Sequence, residues 1–90
     1  MPEIDRFSGM VVSMYCEAGG KHNWPHIHVR YSGTEAAYKL DGEHIEGNLP
    51  NAKEKELKAW MEAHRLALEE IWKLAHAGKR IPKVKEVESK

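Results

Sequence analysis

A chain of 90 residues with 14 basic and 14 acidic side chains has room for one domain and carries no net charge at pH 7. That balance removes the electrostatic bias of a general nucleic-acid binder, although a local basic patch stays open. One cysteine, Cys16, rules out an intrachain disulfide and suits a reducing cytoplasm; no apolar run approaches the roughly 20 residues that span a bilayer.

The first residues, "MPEIDRF", hold acids where a secretory signal needs basic and then apolar residues, so a cytoplasmic protein is expected. The stretch 9–18, "GMVVSMYCEA", alternates Met10, Val12, Met14 and Cys16 with Val11, Ser13 and Tyr15, and reads as a strand. A Gly pair, Asn23 and Pro25 make 17–25 a loop, and Pro25 biases Trp24 towards an extended backbone. Residues 26–31 and 34–40 form a hairpin across Ser32-Gly33, and 43–47 follows Asp41-Gly42. Asp-Gly is favoured in two-residue turns because both central residues take positive φ, and Ser-Gly is a weaker form of that signal.

From Asn51 to Ala77 the period becomes helical. Leu57, Trp60, Met61, His64, Leu68, Ile71, Trp72 and Ala75 form one apolar stripe. Asn51 with Glu54 reads as an N-terminal cap, and Gly78 as the stop. Glu54–Lys58, Arg65–Glu69 and Glu69–Lys73 are spaced to pair on the wet side. The expected fold is α+β: an antiparallel four-stranded meander with one long C-terminal helix on one face, in two layers. Residues 1–80 make the domain, and 81–90 a short, partly frayed tail from which Ile81, Val84 and Val87 are able to dock.

The two-residue turns fix a register. Ser32-Gly33 pairs Tyr31 with Thr34, Arg30 with Glu35, Val29 with Ala36 and Ile27 with Tyr38. Asp41-Gly42 pairs Leu40 with Glu43, Lys39 with His44 and Ala37 with Glu46. One face then carries Ile27, Val29, Tyr31, Ala36, Tyr38, Leu40 and Ile45 for the helix to cover. The other carries His26, Lys39 and His44 in one row, His28, Ala37 and Glu46 in the next, and Arg30 with Glu35 in the third.

Histidine exchanges protons near neutrality, a nearby carboxylate fixes its tautomer, and Lys or Arg holds phosphate. His26, His28 and Glu46 are therefore candidate catalytic residues of a metal-independent ribonuclease. Arg30, Lys39, His44 and Trp24 are the candidate substrate or phosphate contacts, with Trp24 able to stack on a base or anchor a partner. The plainer reading is that a solvated sheet face needs polar residues and these serve. A His-x-His pair also chelates zinc, but a closed site takes about four ligands, with His44 or His22 as the nearest third. No metal or other cofactor is assigned. His64 reads as a structural histidine, His76 as a cation at the helix end, Trp60 and Trp72 as core, and Cys16 as packing in the first strand.

"MPEIDRFSG", "PHIHV", "EGNLP" and the helix bearing Trp60 and Trp72 together resemble a family of small prokaryotic proteins, domain of unknown function 4160 (DUF4160), from Met1 to about Ile81. Where this chain has Trp24, the family usually has a further proline. The resemblance implies one α+β domain with its native N-terminus, and Pro25, His26 and His28 as motif positions. It establishes no activity. It also implies a gene neighbour encoding another very small protein, a layout like that of toxin–antitoxin pairs. The expected function is a cytoplasmic protein-interaction or regulatory module, partnered by a small protein or by itself. The alternatives are the His26/His28 ribonuclease-like enzyme and a metal-binding domain.

Overall fold

The computed structural model describes residues 2–14 and 24–89. The expected loop at 17–23, the continuation of the first strand beyond Met14, and the placements of Cys16 and His22 lie outside the described residues.

Five strands form one antiparallel sheet in sequence order: β1 (Glu3–Phe7), β2 (Met10–Ser13), β3 (His26–Tyr31), β4 (Thr34–Lys39) and β5 (His44–Gly47). The sheet therefore has five strands where four were expected, and β1 is the addition. Its sequence, "EIDRF", is charged at three of five positions, which hides it from a search for apolar alternation. Ser8 and Gly9 take φ of 51° and 79°, the two positive values of a tight hairpin turn, and fold β1 onto β2. Pairing skips from Glu3–Ser13 to Asp5–Val12, so Ile4 is an extra residue, and it is fully buried. The bulge turns Asp5 to the helix-covered face, where its Oδ2 accepts from Trp60 Nε1 at 2.7 Å.

The single long helix is also corrected. The chain forms α1 (Asn51–Ala63) and α2 (Arg65–His76), broken at His64, and then α3 (Val84–Glu88). A straight helix over 51–77 would run roughly 40 Å at about 1.5 Å per residue. The molecule's longest dimension is 33 Å, shorter than such a helix. No proline or glycine marks the break, which is why the pattern alone predicts continuity. The expected Asn51 cap does not form: Pro50 holds the cap position, its carbonyl accepts from Glu54 N at 2.9 Å, and no side chain caps the helix. Glu54 instead accepts from Tyr38 Oη at 2.7 Å, rather than serving Lys58.

Leu57, Trp60 and Met61 of α1 and Ala67, Leu68 and Ile71 of α2 close over Met10, Val12, Ile27, Val29, Ala36 and Tyr38. Trp60 stacks on Phe7, with ring centres 5.2 Å apart. Val84 of α3 joins this core, with Ile81 and Val87 packed at its margin. A polar tie holds the first turn to α1. Ser8 Oγ donates to Glu56 Oε2 at 2.6 Å, while Lys53 Nζ donates to Ser8 Oγ at 2.7 Å and lies 5.2 Å over the Tyr31 ring. The Ser8 hydrogen bond, helped by Lys53, keeps the Glu56 carboxyl below its ordinary range. No described helix is long and apolar enough to cross a membrane.

Candidate functional site

The β3–β4 hairpin has the expected register at every rung, from His26–Lys39 to Tyr31–Thr34. Ser32 and Gly33 take φ of 48° and 79°, the two-residue turn that this register needs. The next hairpin does not. Gly42 N donates to Lys39 O at 2.9 Å, Lys39 N donates to Glu43 O at 2.8 Å, and only Gly42 takes a positive φ, of 97°. This is a three-residue loop, Leu40-Asp41-Gly42, ending in a left-handed glycine. Asp41 Oδ1 accepts from Glu43 N at 2.8 Å and holds the loop in shape. The extra residue slips the register, so His44 opposes Tyr38 and not Lys39. A second irregularity leaves Ile45 unmatched and restores the pairing of Glu46 with Ala37.

This slip dissolves the expected row of His26, Lys39 and His44. The exposed His44 meets the Tyr38 ring at 5.3 Å, and its Nε2–H donates to Gly47 O of its own strand. Lys39 pairs with Glu43 at 2.7 Å, which raises its ammonium pKa, and sits 5.0 Å over the Trp24 ring. The second row does form, and it is longer than expected: Glu3, Ser13, His28, Ala37 and Glu46 succeed one another across all five strands. The third row reads Arg6, Val11, Arg30 and Glu35, with Arg30 and Glu35 exposed.

The expectation that both imidazoles point away from the tryptophan-bearing helix fails for His26. Its side chain is 0% exposed and lies 5.7 Å from the Trp72 ring of α2. Trp72 follows Ile71, so it leaves the side of the helix about 100° round from the core stripe and reaches the start of β3. His28 meets the His26 ring edge-on at 5.1 Å and is half-buried. His26 Nδ1 lies 2.8 Å from Trp24 O. A carbonyl only accepts, so Nδ1 carries the proton and the tautomer is set by backbone. Ser13 and Ala37, on the same parity as the histidines, are also buried, so this part of the face is not the solvated sheet surface expected for it. Among the described residues, no group of three or more His, Cys, Asp or Glu side chains is placed to hold a metal ion.

Two clefts open elsewhere, where the bent helix passes the β4–β5 loop. One, of about 240 Å³, is lined by Trp24, Pro25, Leu40 and Arg65 among others. The next, of about 330 Å³, shares Leu40, Asp41 and Arg65 with it and extends to Met61 and Glu62. Trp24 is 38% exposed, whereas Trp60 is buried and Trp72 half-buried. Arg65 bears only a loose 3.6 Å contact to Glu69. Trp24 is a candidate from the sequence, whereas the sequence offers Arg65 only as a helix-surface partner of Glu69, a contact that forms.

His64 itself lies at that break. It packs 5.5 Å from the Trp60 ring, and its Nδ1 donates to Glu88 Oε2 of α3 at 2.6 Å, a structural tie as expected.

The chain belongs to the family described as Domain of unknown function (DUF4160). The family model matches residues 9–73, from the end of the first turn to the later part of α2. No curated protein and no solved structure matches. The DUF4160 match covers the "PHIHV" strand, the irregular hairpin and the lining of both clefts.

Proposed function

We propose that this DUF4160 chain is a partner-docking, regulatory module of the prokaryotic cytoplasm, and that the cleft lined by Trp24, Leu40 and Arg65 is where the partner seats. The observation that carries the reading is that the exposed tryptophan and a loosely held arginine line one cleft with Pro25 and Leu40. Trp and Arg are the side chains that most often dominate binding energy at protein interfaces. The sheet edges serve the reading less well: β5 is four residues long with an unmatched Ile45, and β1 carries the Ile4 bulge, both of which discourage strand addition. The proposed partner is a very small protein encoded beside this one, in a two-gene layout like that of toxin–antitoxin pairs. The test is co-expression with that neighbour and size-exclusion of the mixture. Co-elution that Trp24→Ala and Arg65→Ala abolish, and that His28→Ala leaves intact, supports the reading. Absence of a complex, or one indifferent to Trp24 and Arg65, overturns it.

A catalytic reading keeps one supporting observation: only the small Ala37 separates His28 from Glu46 in their row. It assigns proton transfer to His28 and Glu46, phosphate contact to Arg30, and to His26 only the support of His28. RNA cleavage lost in His28→Ala and in Glu46→Gln is its signature.

A further inference from the structure

The groove between α2 and α3 adjoins the Trp24 cleft, with Arg65 and Glu69 lining both. Its volume is about 680 Å³, and its walls include Glu62, Leu66 and Glu70 on one side and Val87 on the other. Leu66 is 81% exposed, the most exposed large apolar side chain among the described residues. It stands off the core stripe, one helical turn from a carboxylate on either side. Four acids line the groove, and two have partners: Glu69 faces Arg65 at 3.6 Å and Glu88 faces His64 at 2.6 Å. Glu62 and Glu70 have no ion-pair partner among the described residues. Lys73 is the groove's remaining cation.

The complementary charge is on the same chain. From Lys79 to Lys85 the sequence runs "KRIPKVK", four cations and no acid. Lys79, Lys83 and Lys85 are exposed, and Arg80 is tied to Glu86 at 2.9 Å. This segment leads directly into α3, the wall of the groove, so an acidic groove with an apolar floor and a basic strip adjoin each other.

We infer that the α2–α3 groove is a self-association surface: in a two-fold dimer, each copy's basic segment 79–85 lies along the other copy's Glu62–Leu66–Glu70 stripe. Adjoining complementary patches are what a two-fold interface requires, since each must meet the other's counterpart at once. The net charge of zero removes any overall repulsion between copies. Covering Leu66 also adds apolar burial to a domain whose small size limits its core. The groove shares Arg65 and Glu69 with the Trp24 cleft, but the inference rests on Glu62, Leu66, Glu70 and the segment 79–85, none of which lines that cleft.

The test is light scattering after size exclusion on the full chain and on charge-swapped pairs. The parent forms a concentration-dependent dimer whose dissociation constant rises about tenfold or more from about 0.05 M to about 0.5 M salt. The double variant Glu62→Lys/Glu70→Lys is monomeric, as is Lys79→Glu/Lys85→Glu. Mixed one to one they form a heterodimer, because both contacts are complementary again. Leu66→Ser, at an exposed site that leaves the fold intact, is monomeric too. A parent that is monomeric throughout overturns the inference, as does a dimer unmoved by these changes or a mixture that does not pair. Trp24→Ala is expected to leave the dimer unchanged. A monomer that still binds its neighbour through Trp24 would remove this inference and leave the docking proposal standing.

Discussion

The β3–β4 and β4–β5 hairpins share a strand and have similar turn signals, a small or polar residue followed by glycine, yet they differ in almost every structural respect. The first has six matched rungs and a two-residue turn, and its inward residues Ile27, Val29, Ala36 and Tyr38 are buried. The second has a three-residue loop, an unmatched Ile45, and a strand of which no residue is buried. A residue–glycine pair tells where the chain reverses; it does not tell how many residues the reversal takes. Here one residue moves His44 from the side of His26 to the side of Tyr38.

The glycines of the two hairpins give the largest contrast. A Cβ on Gly47 would lie 2.0 Å from Glu35 O and 2.7 Å from Ala36 Cα, at a φ of +74°. Gly47→Ala should cost about 3 kcal/mol, from left-handed strain together with overpacking between paired strands. Gly33 has nothing within 4 Å of such a Cβ, so Gly33→Ala should cost only the strain, about 1 kcal/mol. Urea midpoints measure both, and equal losses would mean that β5 does not approach β4 as described.

The histidines come next. His26→Ala removes a fully buried ring against Trp72 and should cost about 2–4 kcal/mol. His44→Ala removes an exposed ring whose one hydrogen bond folds back on its own strand, and should stay within about 0.5 kcal/mol.

Tyr38, shared by both hairpins, gives a modest effect and a pH signature. Burial first, and then donation to Glu54, push its phenol well above the ordinary value. A group raised in the folded state contributes its stability below the unfolded value, near pH 10, and loses it as pH rises towards the folded one. Tyr38→Phe should cost about 1 kcal/mol at neutral pH and make the alkaline fall in stability shallower. An unchanged alkaline slope in denaturant titrations from neutral to alkaline pH would show that the phenol is not the group responsible.

The parts legible in the sequence are those written in local chemistry. The β3–β4 register follows from Ser32-Gly33 and alternation, and the core stripe from Leu57 to Ile71 follows from helical period. What stayed hidden depends on neighbours distant in sequence. β1 is a charged segment held by its bulge and by ties from Ser8 and Asp5 to α1. The break at His64 comes with no proline or glycine to announce it. The burial of His26 is accompanied by Trp72, 46 positions along the chain, which arrives over the start of β3. Arg65, the proposed docking residue, keeps the helix-surface contact to Glu69 that its spacing suggests, and only its place beside the Trp24 cleft is hidden from the sequence. Leu66 alone had a readable signal, an apolar residue off the stripe.

His26 is sealed in the regular hairpin, whereas His44 lies on the surface of the irregular one. Diethylpyrocarbonate labelling of the native protein, resolved by peptide mass spectrometry, reads this difference directly. His44 is expected to be acylated readily, and His26 to stay unmodified until denaturant opens the fold. Acylation of native His26 at the rate of His44 would contradict that difference.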